Sequence, residues 1–189
     1  DNHAVELIND GKAHFVEPGL NILVKDAVAA GKLRARTDPE PADAFIIAVP
    51  TPFKKGKKPD LKYVKAAVES LAPVLKKGDI VVIESTCPVG TTDSASIWMN
   101  NTCPNLSFPH NTDGPCDINV AHSPERVLPG QVLIELVSND RVVGGVSVAC
   151  GIRTKQLYSI AVEGECLLTS ARTAELVKLA ENAYRDVNI

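Results

Sequence analysis

Apolar and polar positions follow two alternating patterns along this chain. Continuous apolar runs at residues 44–49 and 80–83 are typical of strands that are buried on both faces of a sheet. Between the two runs, apolar residues recur every three or four positions over residues 61–75, behind Asp60, which can cap a helix. Strands that alternate with helices in this way predict an α/β fold built on a doubly wound parallel sheet.

The rest of the chain repeats this alternation. Further helices are expected over residues 2–9, 20–30, from Thr91 through Trp98, and over 147–160. Further strands are expected at residues 33–36, 119–122, 141–143 and 166–169. Residues 104–115 are rich in proline, asparagine and glycine and predict a loop, whereas the pattern from Ala171 onward is helical with no stop signal, so the chain is expected to end inside a helix. We therefore expect a sheet domain over residues 1–170 and the start of a long helix over residues 171–189.

Composition and charge are those of an ordinary globular protein. The chain has 189 residues, of which 44% are hydrophobic and 23% charged, and its formal net charge is -3. Nucleic-acid-binding proteins normally carry a basic excess, so the charge predicts no nucleic-acid partner. The apolar runs are too short to span a bilayer, which predicts no membrane partner. The one dense basic cluster, residues 54–58, predicts a solvated loop, with a phosphate or partner contact as the alternative.

The cysteines give no sign of a disulfide framework or a metal site. Five cysteines form no C-x-x-C pair and leave an odd number, which favours the reduced thiols of a cytoplasmic protein. His110 and His122 do not stand at zinc-finger or zinc-ribbon spacing around Cys103 and Cys116, so no metal is expected. Cys87 has no neighbouring base in the sequence, which favours an inert buried thiol over a nucleophile.

Three expected strands end in loops that place a hydroxyl or carboxylate beside a proline. Pro50 and Thr51 follow the first of these strands, Thr86 follows the second and Glu125 the third. Ligands of doubly wound sheets bind beyond the carboxyl ends of the strands, so three such loops predict a binding crevice. For any single loop, the alternative is a strand stop with polar turn residues.

Lys178, Asn182 and Arg185 fall on one face of the expected last helix. In the functional interpretation, Lys178 is a cation that stabilises negative charge developing on an oxygen. The alternative is a lysine whose stem covers the core while its charge stays in water.

Five ordered motifs resemble those of the UDP-glucose/GDP-mannose dehydrogenase family, across essentially the whole chain. They are VEPGL at residues 16–20, VPTPF at 49–53, ESTCPVG at 84–90, PERVLPG at 124–130, and RTAE at 172–175 with the helix that follows it to Ile189. Members of this family oxidise the C6 hydroxymethyl group of a nucleotide sugar to a carboxylate with two NAD per turnover. The resemblance therefore implies a Rossmann-like fold, NAD as cofactor, a UDP-sugar substrate and a role in polysaccharide biosynthesis.

The resemblance also implies catalytic roles. Glu125 would assist proton transfer or hydrolysis of a thioester intermediate, and Thr86 would act at the same centre. Lys178 and Asn182 would polarise the reacting oxygen and position water.

Binding residues follow from the same motifs. Those implied for the cofactor are Pro50, Thr51 and Thr86. Those implied for the substrate are Arg126, Val127, Lys178, Asn182 and Arg185. UDP-glucose enzymes of the family usually carry an aromatic residue and a second acid where this chain has Arg126 and Pro129. The resemblance thus favours UDP-N-acetylmannosamine as substrate, with UDP-N-acetylglucosamine and UDP-glucose as alternatives.

Two parts of the family pattern are absent from this sequence. None of the twelve glycines forms the G-x-G of a pyrophosphate-binding turn, and no cysteine stands in a glycine-rich motif. We therefore expect an incomplete Rossmann-like sheet without its first strand and glycine-rich turn, followed by the start of a linking helix. The chain alone is expected to be inactive, and the alternative of another class is a non-catalytic nucleotide-sugar-binding or self-associating remnant.

Self-association is expected through the C-terminal helix. Its apolar positions include Leu176, Leu179, Ala183 and Val187, and an uncovered apolar patch favours a partner. The family resemblance implies the same arrangement, so the expected partner is a second copy in a homodimer.

Overall fold

The computed structural model describes residues 1–112, 114–128 and 130–189. Its strands are β1 (Ala44–Ile47), β2 (Phe53–Lys54), β3 (Lys58–Pro59), β4 (Ile80–Ile83), β5 (Asn119–His122), β6 (Arg141–Gly145) and β7 (Cys166–Ser170). Five of them form one sheet in the order β1-β4-β5-β6-β7, and β2 and β3 form a separate hairpin. The strands that alternate with helices in sequence thus lie side by side in one sheet.

Helices cover both faces of this sheet. They are α1 (Asn2–Asn9), α2 (Leu20–Ala29), α3 (Lys62–Leu71), α4 (Thr91–Thr102), α5 (Val132–Ser138), α6 (Val148–Tyr158) and α7 (Ala171–Val187). In β4, Val81 and Ile83 belong to a core shared with α3 and α4, whereas Ile80 and Val82 pack with Tyr158 of α6. This two-sided burial confirms the α/β, Rossmann-like class. No helix in the described ranges is long and apolar enough to cross a bilayer.

One strand pair departs from the parallel arrangement. β6 runs antiparallel to β5, while β1, β4 and β5 are parallel to one another and β6 is parallel to β7. The reversal places Arg141, the first residue of β6, beside Glu84 at the end of β4, at 3.2 Å between Nη1 and Oε1. The Tyr158 hydroxyl donates to the same Glu84 oxygen at 2.6 Å. These contacts join the first residue of β6 and the last residue of α6 to the end of β4.

The prediction of a strand at residues 33–36 is wrong. The segment forms no strand, and it contacts the side chain of Asn9. The Asn9 amide accepts from the Ala35 N–H at 2.8 Å and donates to the Ala35 carbonyl at 3.0 Å. One side-chain amide therefore satisfies both backbone groups that a neighbouring strand would otherwise bind.

Two local elements were not predicted. The seven-residue helix α5 is an almost continuous apolar run, and periodicity alone does not separate such a run from a strand. The lysine-rich segment 54–58 forms the β2–β3 hairpin, whose residues are all exposed, so its solvated character is confirmed.

Helix α7 approaches the sheet closely because β6 contains Gly144. A Cβ at this position would lie 2.4 Å from the Ser170 carbonyl oxygen and 2.7 Å from Ala174 Cβ. The helix covers Ala171–Val187, which is most of the helical segment predicted over residues 171–189. The Asn188 side chain donates to the Tyr184 carbonyl at 2.6 Å and satisfies a carbonyl of the last turn.

Candidate functional site

The loops after β1 and β4 are joined at the carboxyl edge of the sheet. Thr51 Oγ1 donates to the Thr86 carbonyl at 2.6 Å. Ser85 Oγ accepts from the Val49 N–H at 2.8 Å and donates to the Val49 carbonyl at 2.8 Å. These bonds fix the two predicted cofactor loops relative to each other. Both threonines are half-buried and Pro50 is exposed, so a ligand can reach this edge.

The loop after β5 is held in place by carboxylates of its own region. Glu125 folds back so that its carboxylate accepts from the Val127 N–H at 2.8 Å. Glu135, on α5, accepts from the Leu128 N–H at 2.7 Å. Backbone groups that would otherwise bind water are therefore fixed in one orientation.

A third carboxylate reaches the same loop from the N-terminal part of the chain. Glu17, in the motif at residues 16–20, accepts from the Gly130 and Val132 N–H groups, each at 3.0 Å. The second of these bonds lies at the N-terminus of α5, where a carboxylate is stabilised by the helix dipole. Glu17 thus ties the α1–α2 region to the predicted substrate loop.

Lys178 contacts this loop from α7. Its ammonium group donates to the backbone carbonyl of Glu125, so the two predicted catalytic residues are neighbours. Lys178 is half-buried, and burial lowers the pKa of its ammonium group below the usual lysine range, although the Glu125 and Glu181 carboxylates oppose the shift. The result is a partly desolvated cation at the edge of the loop.

Further cations of the predicted substrate group lie around Lys178. Arg126 forms a two-pronged ion pair with Glu181, at 3.1 Å from Nε to Oε2 and 2.6 Å from Nη2 to Oε1. Arg185 donates to Asn182 Oδ1 at 2.8 Å. A depression of about 230 Å³ lies between the loop and α7 and is lined by Arg126, Val127, Leu128, Lys178, Glu181 and Arg185.

A buried carboxylate on α7 connects this group to the cofactor side. Glu175 is fully buried, and its Oε2 accepts from the Gly90 N–H at 2.6 Å. Its Oε1 accepts from the N–H and hydroxyl of Thr92 at 2.7 Å and 2.6 Å. Gly90 precedes α4 with φ +93°, a conformation that favours glycine. Glu175 therefore caps α4 from another helix, one turn before Lys178.

Two more buried side chains lie beside Glu175. Burial, with the Glu175 charge second, raises the pKa of the Cys87 thiol to about 12, so Cys87 is a protonated thiol and the inert interpretation is favoured. Burial lowers the pKa of His122 to about 4, which keeps its ring neutral near pH 7. Among the residues that the structure describes, neither ring nitrogen of His122 has a hydrogen-bond partner.

The predicted site residues fall into two groups. The cofactor group is Pro50, Thr51 and Thr86, on the loops after β1 and β4. In the substrate group, Arg126, Val127, Lys178 and Arg185 line one depression. Glu125 is joined to this group through its carbonyl, which accepts from Lys178, and Asn182 accepts from Arg185. Pro129 lies outside the described residues. Sequence reasoning assigned no role to four carboxylates, Glu17, Glu135, Glu175 and Glu181, because each acts on a partner that is distant in sequence or on a backbone group.

Known proteins resemble this chain over its full length. Residues 1–162 match the UDP-glucose/GDP-mannose dehydrogenase family, NAD binding domain. The chain is 58% identical over 189 residues to an NDP-N-acetyl-D-galactosaminuronic acid dehydrogenase of Ralstonia nicotianae, and 53% identical over 189 residues to a UDP-N-acetyl-D-mannosamine dehydrogenase of Escherichia coli. The matched region includes 100% of this chain and 45% of each relative, so the chain spans less than half of their length.

A solved structure supports the same relationship. The UDP-N-acetyl-mannosamine dehydrogenase of Staphylococcus aureus superposes with a TM-score of 0.90 at 40% identity, over 100% of this chain and 45% of that one. The sheet, the edge loops and α7 therefore recur within a known enzyme fold. On these grounds the chain belongs to the UDP-glucose/GDP-mannose dehydrogenase family, and most of it corresponds to the family's NAD binding domain.

Proposed function

We propose that this chain is part of an NAD-dependent UDP-sugar 6-dehydrogenase that oxidises the C6 hydroxymethyl group of UDP-N-acetylmannosamine to the uronate. The convergence of Arg126, Lys178 and Arg185 around one depression, with Lys178 bound to the backbone of Glu125, carries the proposal. Relatives with acetamido sugars in their names support the sugar class. UDP-N-acetylgalactosamine is a second candidate sugar, since the Ralstonia relative is named for the galactosaminuronic acid.

Each group has a role that its chemistry suits. The Lys178 cation stabilises negative charge on the reacting oxygen, in a half-buried position where such charge stabilisation is strong. The Glu125 carboxylate accepts a proton, and Asn182 positions water. Arg126 and Arg185 attract the anionic diphosphate of the substrate.

NAD, when bound, accepts the hydride. The loops of Thr51 and Thr86 fit a cofactor-binding role because they are fixed to each other and open at the carboxyl edge of the sheet. The sequence contains neither a G-x-G turn nor a cysteine in a glycine-rich motif, so we expect the 189-residue chain to be inactive alone. The competing proposal, a non-catalytic binding module, predicts that calorimetry detects UDP-sugar binding to the chain without NAD binding.

A chimera tests the proposed activity and its sugar preference. In the chimera, residues 1–189 of this chain replace the 189 matched residues of the E. coli relative, and the rest of the enzyme comes from that relative. We expect NAD reduction with UDP-N-acetylmannosamine and little with UDP-glucose. Arg126→Phe should reduce the ratio of activity with UDP-N-acetylmannosamine to activity with UDP-glucose by about tenfold, because a hydrogen bond from a charged group to the preferred sugar is typically worth about 1.5 kcal/mol or more.

The matched control is Arg172→Phe, which removes an exposed arginine of α7 that pairs with Asp93 outside the depression. It should leave the sugar preference unchanged. A folded chimera that oxidises no UDP-hexosamine contradicts the proposal, and unchanged discrimination after Arg126→Phe removes the basis for rejecting UDP-glucose.

We also propose that residues 171–189 begin a linking helix that contributes to a homodimer. Leu176, Tyr184 and Val187 of α7 are 55%, 75% and 86% exposed, so this helix presents an apolar surface. Sedimentation of the chain at high concentration should show a dimer that Tyr184→Glu weakens. A strictly monomeric species would contradict this assignment.

A cytoplasmic location is proposed on separate grounds. All five cysteines are free thiols, as expected in a reducing compartment. Mass spectrometry of the protein after denaturation and alkylation without a reductant should find five alkylated cysteines, and an intact disulfide would argue against this location.

A further inference from the structure

Three buried side chains with metal-binding groups meet behind the candidate site. Cys87 lies in the loop after β4, His122 ends β5, and Glu175 lies in the second turn of α7. One ligand atom from each, Sγ, a ring nitrogen and a carboxylate oxygen, lies within 4.8 Å of the other two. Strands β4 and β5 are register neighbours here, with Ile83 paired to His122, which brings the loop and the histidine together.

The hydrogen bonding of His122 is incomplete. The residue is 0% exposed, and neither of its ring nitrogens has a hydrogen-bond partner within residues 1–112, 114–128 and 130–189. A buried polar group in this condition costs about 1–3 kcal/mol unless a partner binds it. The imidazole therefore has a free nitrogen available to a ligand, within reach of a thiol and a carboxylate.

The carboxylate is already oriented in the way metal ligands usually are. Glu175 accepts three hydrogen bonds from Gly90 and Thr92, which fix its position. Ligating carboxylates are commonly held by such outer hydrogen bonds. Oε2 accepts only one of these bonds, so it retains a lone pair, and among the described residues Glu175 forms no ion pair.

The donor set selects the class of ion. A thiolate, an imidazole and a carboxylate are the ligands that Zn²⁺ prefers, at about 2.3 Å from sulfur and 2.0–2.2 Å from nitrogen and oxygen. Tetrahedral bonds of these lengths place ligand atoms ~3.5 Å apart. The three ligand atoms lie within 4.8 Å of one another, so they would move closer together on binding the ion. One thiolate and one carboxylate also neutralise a divalent charge, which reduces the cost of burying the ion.

We propose that Cys87, His122 and Glu175 bind a divalent ion of the zinc class. The ion would join the loop after β4, the end of β5 and helix α7, directly behind the residues assigned to cofactor and substrate. Binding displaces the thiol proton to solvent, because a coordinating cation deprotonates a thiol. The three residues are far apart in sequence, so the spacing patterns that predicted no metal site do not cover them.

Co²⁺ titration of the purified 189-residue chain tests this site independently of any enzymatic activity. We expect one Co²⁺ per chain, with a thiolate-to-cobalt charge-transfer band in the near ultraviolet, displacement by Zn²⁺, and a higher thermal midpoint in the presence of either ion. The ion is added to the folded chain and, in a second preparation, is present during refolding, because the ligands are buried.

Three variants locate the ion. Cys87→Ser should abolish the charge-transfer band, and His122→Phe should weaken Co²⁺ binding by at least about 10–100-fold, the loss typical when the ligand environment of a metal is disrupted. Cys150→Ser is the matched control, since Cys150 is a buried cysteine on α6 that lies outside the trio.

Two results would overturn the proposal. The first is the absence of a cobalt–thiolate band in both preparations, which would leave His122 as a neutral core residue beside Glu175. The second is a band that persists in Cys87→Ser and disappears in Cys150→Ser, which would place the ion elsewhere.

Discussion

Replacing Lys178 with methionine should lower kcat of the chimeric enzyme by about 100-fold to 1,000-fold, the loss typical of removing one preorganised group that stabilises an oxyanion. Methionine keeps an apolar stem of similar length and removes only the charge, so folding should be preserved. The physical reason is the position of Lys178, half-buried and bonded to the Glu125 carbonyl beside the substrate loop. Steady-state rates with UDP-N-acetylmannosamine and NAD measure the effect.

A matched lysine separates this effect from a general loss of charge. Lys65 is an exposed lysine of α3 that pairs with Glu69, so Lys65→Met should leave kcat unchanged. If Lys178→Met lowers kcat by less than a few-fold while Tm and KM are unchanged, Lys178 is a structural lysine whose stem covers the core.

The pH dependence of kcat gives a second test of the role of Lys178. Lys178 works as a cation, so activity should be lost as pH rises through its pKa, which burial places below the ordinary value of 10.5. Arginine stays charged throughout this range, so Lys178→Arg should retain a smaller kcat without that alkaline loss. If the chimera and its Lys178→Arg variant lose activity over the same alkaline pH range, the titrating group is not Lys178.

Glu175→Gln should destabilise the folded chain by about 3 kcal/mol, because its amide nitrogen faces the Gly90 N–H and leaves a buried donor without an acceptor. The loss of the buried negative charge at the N-terminus of α4 adds to this cost. Urea unfolding of the chain in the presence of a chelator measures the change in the free energy of unfolding.

The control for Glu175 is a second contact between α4 and α7. Arg172 and Asp93 pair at 2.7 Å, but the arginine side chain is 70% exposed. Asp93→Asn should therefore cost about 1 kcal/mol or less. Glu175 is proposed to be the buried cap that joins α7 to the N-terminus of α4. Equal losses of unfolding free energy in Glu175→Gln and Asp93→Asn would contradict this role.

Most of the fold could be predicted from the sequence because its signals are local. The buried run at β4 and the amphipathic pattern of α3 each specify their own element. The direction of β6 is different, since it depends on how β6 pairs with β5 in the folded sheet, and no local pattern reveals that pairing. The strand prediction for residues 33–36 was wrong for a related reason. A strand needs a neighbouring strand to bind its backbone groups, and here the Asn9 side-chain amide binds the backbone of Ala35 instead.

The candidate site shows the same division. The edge loops and the helical spacing of Lys178 and Asn182 were visible in sequence, and the structure places Lys178 against Glu125. The carboxylates that hold these loops and α7 in place could not be predicted from the sequence, because Glu17 and Glu175 bind backbone groups more than 80 positions away. Side-chain chemistry can be anticipated from motifs, whereas the groups that hold it in place depend on the tertiary fold.

We propose that these residues serve a four-electron oxidation of a UDP-sugar at C6. Conversion of an alcohol to a carboxylate requires two hydride transfers, so the most direct measurement is the ratio of NADH formed to sugar consumed by the chimera. With UDP-N-acetylmannosamine we expect two NADH per sugar, with the uronate as the product identified by mass spectrometry. One NADH per sugar with an aldehyde or ketone product, or no NADH from a folded chimera, would contradict the proposed reaction.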